Sequence, residues 1–370
     1  MIKVLIVFGT RPETIKVAPI IKELKKHPDK LICRTCTTGQ HKQMVDPLLD
    51  VFDIRADMDL GIMRSNQSLE YITTSVINTV SDIIKTDRPD YLIVQGDTTT
   101  AMAAGLAAFY NRTKIAHVEA GLRTWNKYEP YPEEINRKII DSFSDLCFAH
   151  TDQAKNNLLK EGISENKIKV TGNTVIDALL DIANKNFPTR GTILEKIPEG
   201  PKKVILITAH RRESFGEPIN NICKAIRKIA QQRDDVFFVY PVHLNPNIQE
   251  PVYAHLSDVE NILLAKPLNY VEFVQLMKRS HFIMSDSGGV QEESPSLDKP
   301  VLVLRDVTER PEALETGAIE LVGTDADRII RRFNLLMDDQ EHFRQMAQAK
   351  NPYGDGKASR RIVQSILNTA

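Results

Sequence analysis

The chain has 370 residues, 42% of them hydrophobic and 26% charged, and its 48 Lys plus Arg against 49 Asp plus Glu leave a formal charge of −1. This is the composition of an ordinary globular protein with apolar material for two cores. Near-neutrality gives no bulk pull toward nucleic acid or a membrane surface, so an anionic ligand must be held by local cations.

The first apolar run, residues 4–8, is too short to span a membrane, and no small-residue cleavage site follows it. It reads as a buried strand of a cytoplasmic protein. In the turn that follows, Gly9 permits a tight bend and Pro12 suits the first position of a helix. Arg11 and Lys16 then meet an anion near a helix N-terminus, or they are surface cations of a solvated turn. The turn is not G-x-G-x-x-G, so no NAD site is predicted. Cys33 and Cys36 form a C-x-x-C, but residues 31–37 read as a strand, on which positions three apart face opposite sides. With no second C-x-x-C, the two thiols read as packing and no metal site is expected.

Further apolar runs at 91–94, 114–118, 204–208, 236–240, 281–285 and 300–304 alternate with helical patterns at 68–85, 99–110, 133–143 and 219–232. That alternation predicts an α/β protein whose parallel sheets are covered on both faces and joined by right-handed crossovers. Residues 184–203 break the rhythm with Pro188, Gly191, Pro198, Gly200 and Pro201, and read as a linker. The expected domains are 1–183 and 204–355, with a helical C-terminal stretch, 356–370, packing back on the first.

In doubly wound sheets, ligands bind beyond the carboxyl ends of the strands. Asp97 follows the run at 91–94, just ahead of a helix, and is either an N-cap or a functional acid. Glu119 ends the next run, where a carboxylate needs a partner or a function; Arg123 is a possible ion-pair partner. Glu133 and Glu134 fall in the first turn of a helix opened by Pro132, and Glu133 is spaced to pair with Arg137. In the second half, His210, Arg211 and Arg212 follow a strand and suggest phosphate contact or a surface charge run. Ser287, Gly288 and Gly289 lead into a helix whose N–H groups can cradle a phosphate, Glu293 lies a turn further in to meet ribose hydroxyls, and Arg305 and Arg310 add cations. Acids in one half and phosphate-holding groups mainly in the other suit an enzyme acting on a nucleotide-sugar.

Eight motifs carry a family resemblance. They are F-G-T-R-P-E-x-I-K at 8–16, G-D-T-T-T at 96–100, H-V-E-A-G-L-R-T at 117–124, P-E-E-x-N-R at 132–137, H-R-R-E-S-F-G at 210–216, Y-P-V-H-x-N-P at 240–246, D-S-G-G-x-Q-E-E at 286–293 and T-E-R-P-E at 308–312. In this order and spacing the chain resembles the bacterial non-hydrolysing UDP-N-acetylglucosamine 2-epimerases. The resemblance implies a glycosyltransferase-B-type arrangement of two Rossmann-like domains with the active site in the cleft between them. It further implies a homodimer and reversible conversion of UDP-GlcNAc to UDP-ManNAc for surface polysaccharide, without NAD or metal. By the same resemblance Asp97, Glu119, Glu133 and His210 are catalytic. Substrate contacts fall to Arg11, Lys16, Asp97, Glu119, His210, Leu268, Phe273, Ser287, Gly288, Gly289, Glu293 and Arg310. A second UDP-GlcNAc acting as activator would meet Gln40, Gln43, Glu133, Arg211 and His243.

The chain departs from the family at three positions. Asn66 stands where an Arg is common, which predicts weaker or altered activation, and Gln95 and Ser294 stand where His and Ala are expected. A hydrolysing epimerase, a glycosyltransferase of the same fold class and a UDP-sugar-binding regulator without chemistry are the rival readings. The F-G-T-R-P-E start weighs against the first and the full set of carboxylates against the last, while a glycosyltransferase would require an acceptor.

Overall fold

The computed structural model describes residues 1–39, 42–62, 64 and 67–369. Two compact units form, one from Met1–Ala178 with Tyr353–Ala370, the other from Leu179–Pro352.

The first unit is built on a seven-stranded sheet of β1 (Ile2–Phe8), β2 (Leu31–Thr37), β3 (Met58–Asp59), β4 (Tyr91–Gln95), β5 (Lys114–Ala120), β6 (Leu146–Ala149) and β7 (Ile168–Val170). Its order is β3-β2-β1-β4-β5-β6-β7, and every pairing is parallel. The central strands are continuous apolar runs because helices cover both faces; all five residues of β4 are buried. The helix Thr99–Tyr110 packs closely through Ala101, Ala103, Ala104, Gly105, Ala107 and Ala108. At Gly105 a Cβ would stand 2.9 Å from the Phe143 ring, so glycine lets the helix Glu133–Phe143 approach there without displacing that ring.

The C-terminal helix Ala358–Asn368 belongs to this unit and packs on the helix Arg11–Leu24. Its own N-cap, Lys357, makes no side-chain cap bond. Asp177 caps it instead, accepting from Ala358 N at 3.1 Å, Ser359 N at 2.8 Å and Ser359 Oγ at 2.6 Å. A distant carboxylate thus satisfies the open N–H groups of the last helix.

The second unit carries a six-stranded parallel sheet of β8 (Lys203–Thr208), β9 (Val236–Pro241), β10 (Ile262–Ala265), β11 (Phe282–Ser285), β12 (Val301–Val303) and β13 (Ile319–Leu321), in the order β10-β9-β8-β11-β12-β13. The helix Glu217–Gln232 buries Ile219, Ile222, Cys223, Ile226, Ile229 and Ala230, a single stripe at three- and four-residue spacing. That stripe packs with Phe238, Phe282 and Phe333 in one core; truncating Ile226 to Ala there costs roughly 2–5 kcal/mol. Residues 184–203 are held to this unit: Leu194 and Ile197 are buried, and Arg279 donates to both carbonyls at 3.1 and 3.2 Å.

Each sheet reverses its winding once, between β1 and β4 and between β8 and β11. Ligands of open α/β sheets bind beyond the carboxyl ends at such points. Residues 9–16 and 95–98 lie at the first reversal, and residues 209–214 and 286–289 at the second.

Candidate functional site

At the first reversal the chain leaves β1 through Thr10, which caps the helix Arg11–Leu24 in a reciprocal capping box with Glu13. Pro12 is the second helical residue, not the first, because Arg11 already opens the helix. Glu13 is buried and accepts from Gly9 N at 3.0 Å and Thr10 N at 2.7 Å. Its other oxygen takes the Thr98 hydroxyl at 2.6 Å, tying the ends of β1 and β4 together. Burial pushes the Glu13 carboxyl above its ordinary range, against these donors. Arg11 is exposed at the helix start.

Thr98, not Asp97, caps the helix Thr99–Tyr110, accepting from Ala101 N at 3.0 Å. The Asp97 carboxylate is therefore released from capping. It is gripped by Arg137, from Nε at 3.0 Å and also from Nη2. Arg137 also donates to buried Glu134 at 3.1 Å. Asn136 Nδ2 fixes the Asp97 carbonyl at 2.9 Å. Glu133 does not make the expected pair with Arg137: successive helical residues project about 100° apart, and Asp97 and Glu134 already occupy the guanidinium. Glu133 forms no hydrogen bond or ion pair with the described residues, whereas Glu134 accepts the amides of Thr124 and Trp125, each at 3.0 Å.

Glu119 lies inside β5, at a register shift between Val118 and Ala120, with φ of 69°. A non-glycine residue held in this region costs about 1–3 kcal/mol and persists only where the surroundings over-determine it. Its carboxylate meets Lys16 Nζ and Gln95 Nε2, both at 2.5 Å. Arg123 is not its partner. That guanidinium turns to Asp141 at 2.7 Å and to Glu161. The structure thus brings Lys16, Glu119 and Gln95 into one cluster, beside the Arg137–Asp97 pair.

At the second reversal Asp286 organises the loop after β8. Its Oδ2 accepts from His210 N at 2.7 Å, Arg211 N at 2.8 Å and Ser214 Oγ at 3.1 Å. Its Oδ1 is buried without a hydrogen bond among the described residues and faces His210 Nδ1 at 3.6 Å. The His210 ring stacks on His243 at 5.5 Å. Burial lowers His210 below its ordinary value, reinforced by His243 and Arg211 and opposed by Asp286. His243 Nδ1 accepts from Asn245 N at 3.1 Å.

Gly288 opens the short helix Gly288–Glu293 between two guanidiniums: a Cβ would stand 3.4 Å from Arg211 and 3.5 Å from Arg310. Arg310 also pairs with Glu292. Glu309 pairs with Arg211 at 3.5 Å and Arg305 at 3.6 Å. Burial raises the Glu309 carboxyl, but Arg211, Arg305 and Arg310 outweigh it and hold it low. Ser287 precedes the helix and Gly289 is exposed. Glu293 accepts the Tyr270 hydroxyl at 3.2 Å. Phe273 and Leu268 are half-buried, Phe273 on the helix Tyr270–Arg279.

Of the positions expected to hold an activator, Glu133, Arg211 and His243 are placed as above, and Gln43 falls on the helix Lys42–Val51. Gln40 and Asn66 lie outside the described residues. Cys33 and Cys36 are free, and burial pushes each thiol up to about 12. Sequence reading missed Glu13, Gln95 as a ligand of Glu119, Arg137 as the partner of Asp97, and Asp286 as the anchor of the loop that carries His210 and Arg211. Only Glu13 left a local signal, the T-x-x-E of a capping box; the others act across 24 to 76 residues.

In the first unit, a carboxylate beside a lysine and a second carboxylate under an arginine fork can move protons; in the second, a histidine with a glycine turn flanked by arginines can hold a diphosphate. The UDP-N-acetylglucosamine 2-epimerase family model matches residues 22–367. The chain belongs to the UDP-N-acetylglucosamine 2-epimerase family. It is 50% identical over 366 residues to the UDP-N-acetylglucosamine 2-epimerase of Bacillus subtilis, covering 99% of this chain and 95% of that one. The solved UDP-GlcNAc 2-epimerase of Neisseria meningitidis bound to UDP-GlcNAc is 50% identical, with a TM-score of 0.88 and coverage of 99% of this chain and 100% of that one. The enzyme of that name from Methanocaldococcus jannaschii is 35% identical, with a TM-score of 0.87 and full coverage of both chains.

Among the described residues, no helix is long and apolar enough to cross a membrane, and no group of three or more His, Cys, Asp or Glu is placed to hold a metal ion.

Proposed function

We propose that the protein interconverts UDP-GlcNAc and UDP-ManNAc by eliminating UDP and adding it back. The proton on carbon 2 is not adjacent to a carbonyl, so direct removal is poor. A base takes that proton while the carbon 1–oxygen bond breaks with its electron pair going to UDP, leaving 2-acetamidoglucal. UDP then re-adds at carbon 1 as a proton arrives at carbon 2 from the opposite face. The sugar undergoes no net oxidation or reduction, so the route needs no hydride carrier.

The acid/base work falls to Asp97, Glu119 and Glu133, and to His210 at the departing diphosphate. Arg11, Lys16, His210, Arg310 and the turn Ser287, Gly288, Gly289 stabilise the charge that develops on UDP. Glu293 takes the ribose hydroxyls, and Leu268 and Phe273 the remaining contacts. The observation that carries this reading is the cluster at the end of β4 and β5. Two carboxylates there, Asp97 and Glu119, are each held by a cation from another element, in a chain half identical to relatives named for this reaction.

The protein acts in the cytoplasm as a homodimer and supplies ManNAc units for surface polysaccharide. A second UDP-GlcNAc at Gln40, Gln43, Glu133, Arg211 and His243 activates it, with Asn66 weakening that response. Incubation with UDP-GlcNAc followed by NMR product analysis tests the reaction. UDP-ManNAc at equilibrium with UDP-GlcNAc supports it; free ManNAc with stoichiometric UDP shows a hydrolase, and no conversion shows a binding protein.

A further inference from the structure

His117 lies on β5, fully buried, two residues before Glu119. Its Nε2 stands 2.7 Å from the Gly96 carbonyl, which only accepts, so Nε2 carries a proton and donates. Its Nδ1 stands 2.6 Å from Asp141 Oδ1. The other Asp141 oxygen already accepts from Arg123 at 2.7 Å and from Gly121 N at 3.2 Å. A carboxylate so loaded is an acceptor on both oxygens, and the ring donates from both nitrogens. Arg123 is anchored in turn by Glu161, and Lys138 reaches Glu161 at 3.2 Å.

These contacts converge on the two carboxylates. Gly96 is gripped on both sides by β5: its N–H donates to Val118 O at 2.9 Å and its carbonyl accepts from His117. The next residue is Asp97. Glu119 is bracketed likewise, by Val118, which holds Gly96, and by Gly121, which donates to Asp141. The buried pair thus contacts the peptide that leads into Asp97, through the Gly96 carbonyl, and the chain just after Glu119, through the Gly121 amide.

We propose that His117 and Asp141 are the positioning pair that keeps Asp97 and Glu119 in register with each other, acting through the backbone without touching substrate. The inference rests on the reading of Asp97 and Glu119 as acid/base groups.

Two amide variants separate the pair's two bonds. His117→Gln places its nitrogen where Nε2 was, keeping the donor to Gly96 and losing Asp141. His117→Asn places it where Nδ1 was, keeping Asp141 and losing Gly96. A displacement of about 1 Å near reacting groups costs on the order of 10²-fold in rate. His117→Asn, which loses the contact to Gly96, is expected to lower kcat by about that factor with KM for UDP-GlcNAc nearly unchanged, and His117→Gln, which keeps that contact but loses its anchor on Asp141, is expected to lower kcat by a smaller factor, still below the parent. Equal kcat per folded molecule in both variants and the parent, with only Tm lowered, overturns the proposal.

A measurement on the unaltered protein needs no variant to fold. Nitrogen-15 spectra of histidine-labelled protein are expected to show two slowly exchanging ring N–H protons on His117, and a single one overturns the doubly donating pair. Full turnover in Asp97→Asn and Glu119→Gln would remove the acid/base reading while leaving the ring result standing, so the two failures are distinct.

Discussion

Arg137 holds the Asp97 carboxylate from a helix 40 residues further along the chain, with Nε 3.0 Å from Oδ2. The same guanidinium neutralises buried Glu134. Its removal leaves one carboxylate uncompensated in the interior and a second one unaimed. Arg137→Ala is expected to lose about 3–5 kcal/mol of stability, read by denaturant unfolding, as well as activity. Asp97→Asn and Glu119→Gln change less of the fold. Each is expected to unfold near the parent Tm and to lower kcat roughly 10²- to 10⁴-fold. Parent-like turnover in either variant removes that residue from the acid/base set.

Substrate affinity is expected to depend on pH through His210. Burial holds the free ring below its ordinary 6.5. A bound diphosphate favours the charged ring and raises its value, so binding takes up a proton. UDP-GlcNAc, whose diphosphate stays ionised throughout, is therefore expected to bind more tightly as pH falls through the bound-state value, and to level off below the free-state one. Titration calorimetry in two buffers of different ionisation enthalpy measures the proton uptake, and His210→Gln is expected to abolish it.

His281 sets an acid limit on stability in the second unit. Its ring stacks on Phe343 at 4.2 Å, and burial, with Lys203 and Lys299 nearby, pushes it down to about 4. The unfolded chain binds a proton at this site near 6.5, before the folded protein does. The contribution is therefore complete above that pH and is lost as pH falls through the window toward 4. His281→Gln is expected to flatten this part of the urea midpoint against pH curve.

Two glycines are expected to respond oppositely to alanine. At Gly121, φ is 84° and a Cβ would stand 2.3 Å from the Ala154 carbonyl oxygen, so Gly121→Ala is expected to lower stability by more than about 1 kcal/mol. At Gly288 the nearest atoms are the guanidinium ends of Arg211 and Arg310, at ordinary contact distance. Gly288→Ala is expected to fold with little change in Tm and, on the proposed phosphate-binding role of this turn, to raise the Kd for UDP at least tenfold.

The elements were legible because continuous apolar strands and amphipathic helices follow from local pattern. Residues 4–8, 91–94 and 114–118 are strands in the structure, and the helices expected at 99–110 and 133–143 are Thr99–Tyr110 and Glu133–Phe143. The motifs proposed candidate acids and cations, but not who holds whom. Spacing suggested Glu133 with Arg137 and Glu119 with Arg123, since sequence shows only near neighbours. The fold instead gives Arg137 to Asp97, Lys16 to Glu119 and Arg123 to Asp141. Arg123 passed over Glu119, and Arg137 passed over Glu133 for Glu134 and Asp97, because strand order β1-β4-β5 and the helix Glu133–Phe143 bring those groups closer.

The most direct test of the account is proton NMR of UDP-GlcNAc incubated with the protein in deuterated water. Elimination and re-addition predict UDP-ManNAc appearing together with loss of the carbon-2 proton signal from both sugars as deuterium enters. Epimerisation with the carbon-2 proton retained would contradict the proposed route.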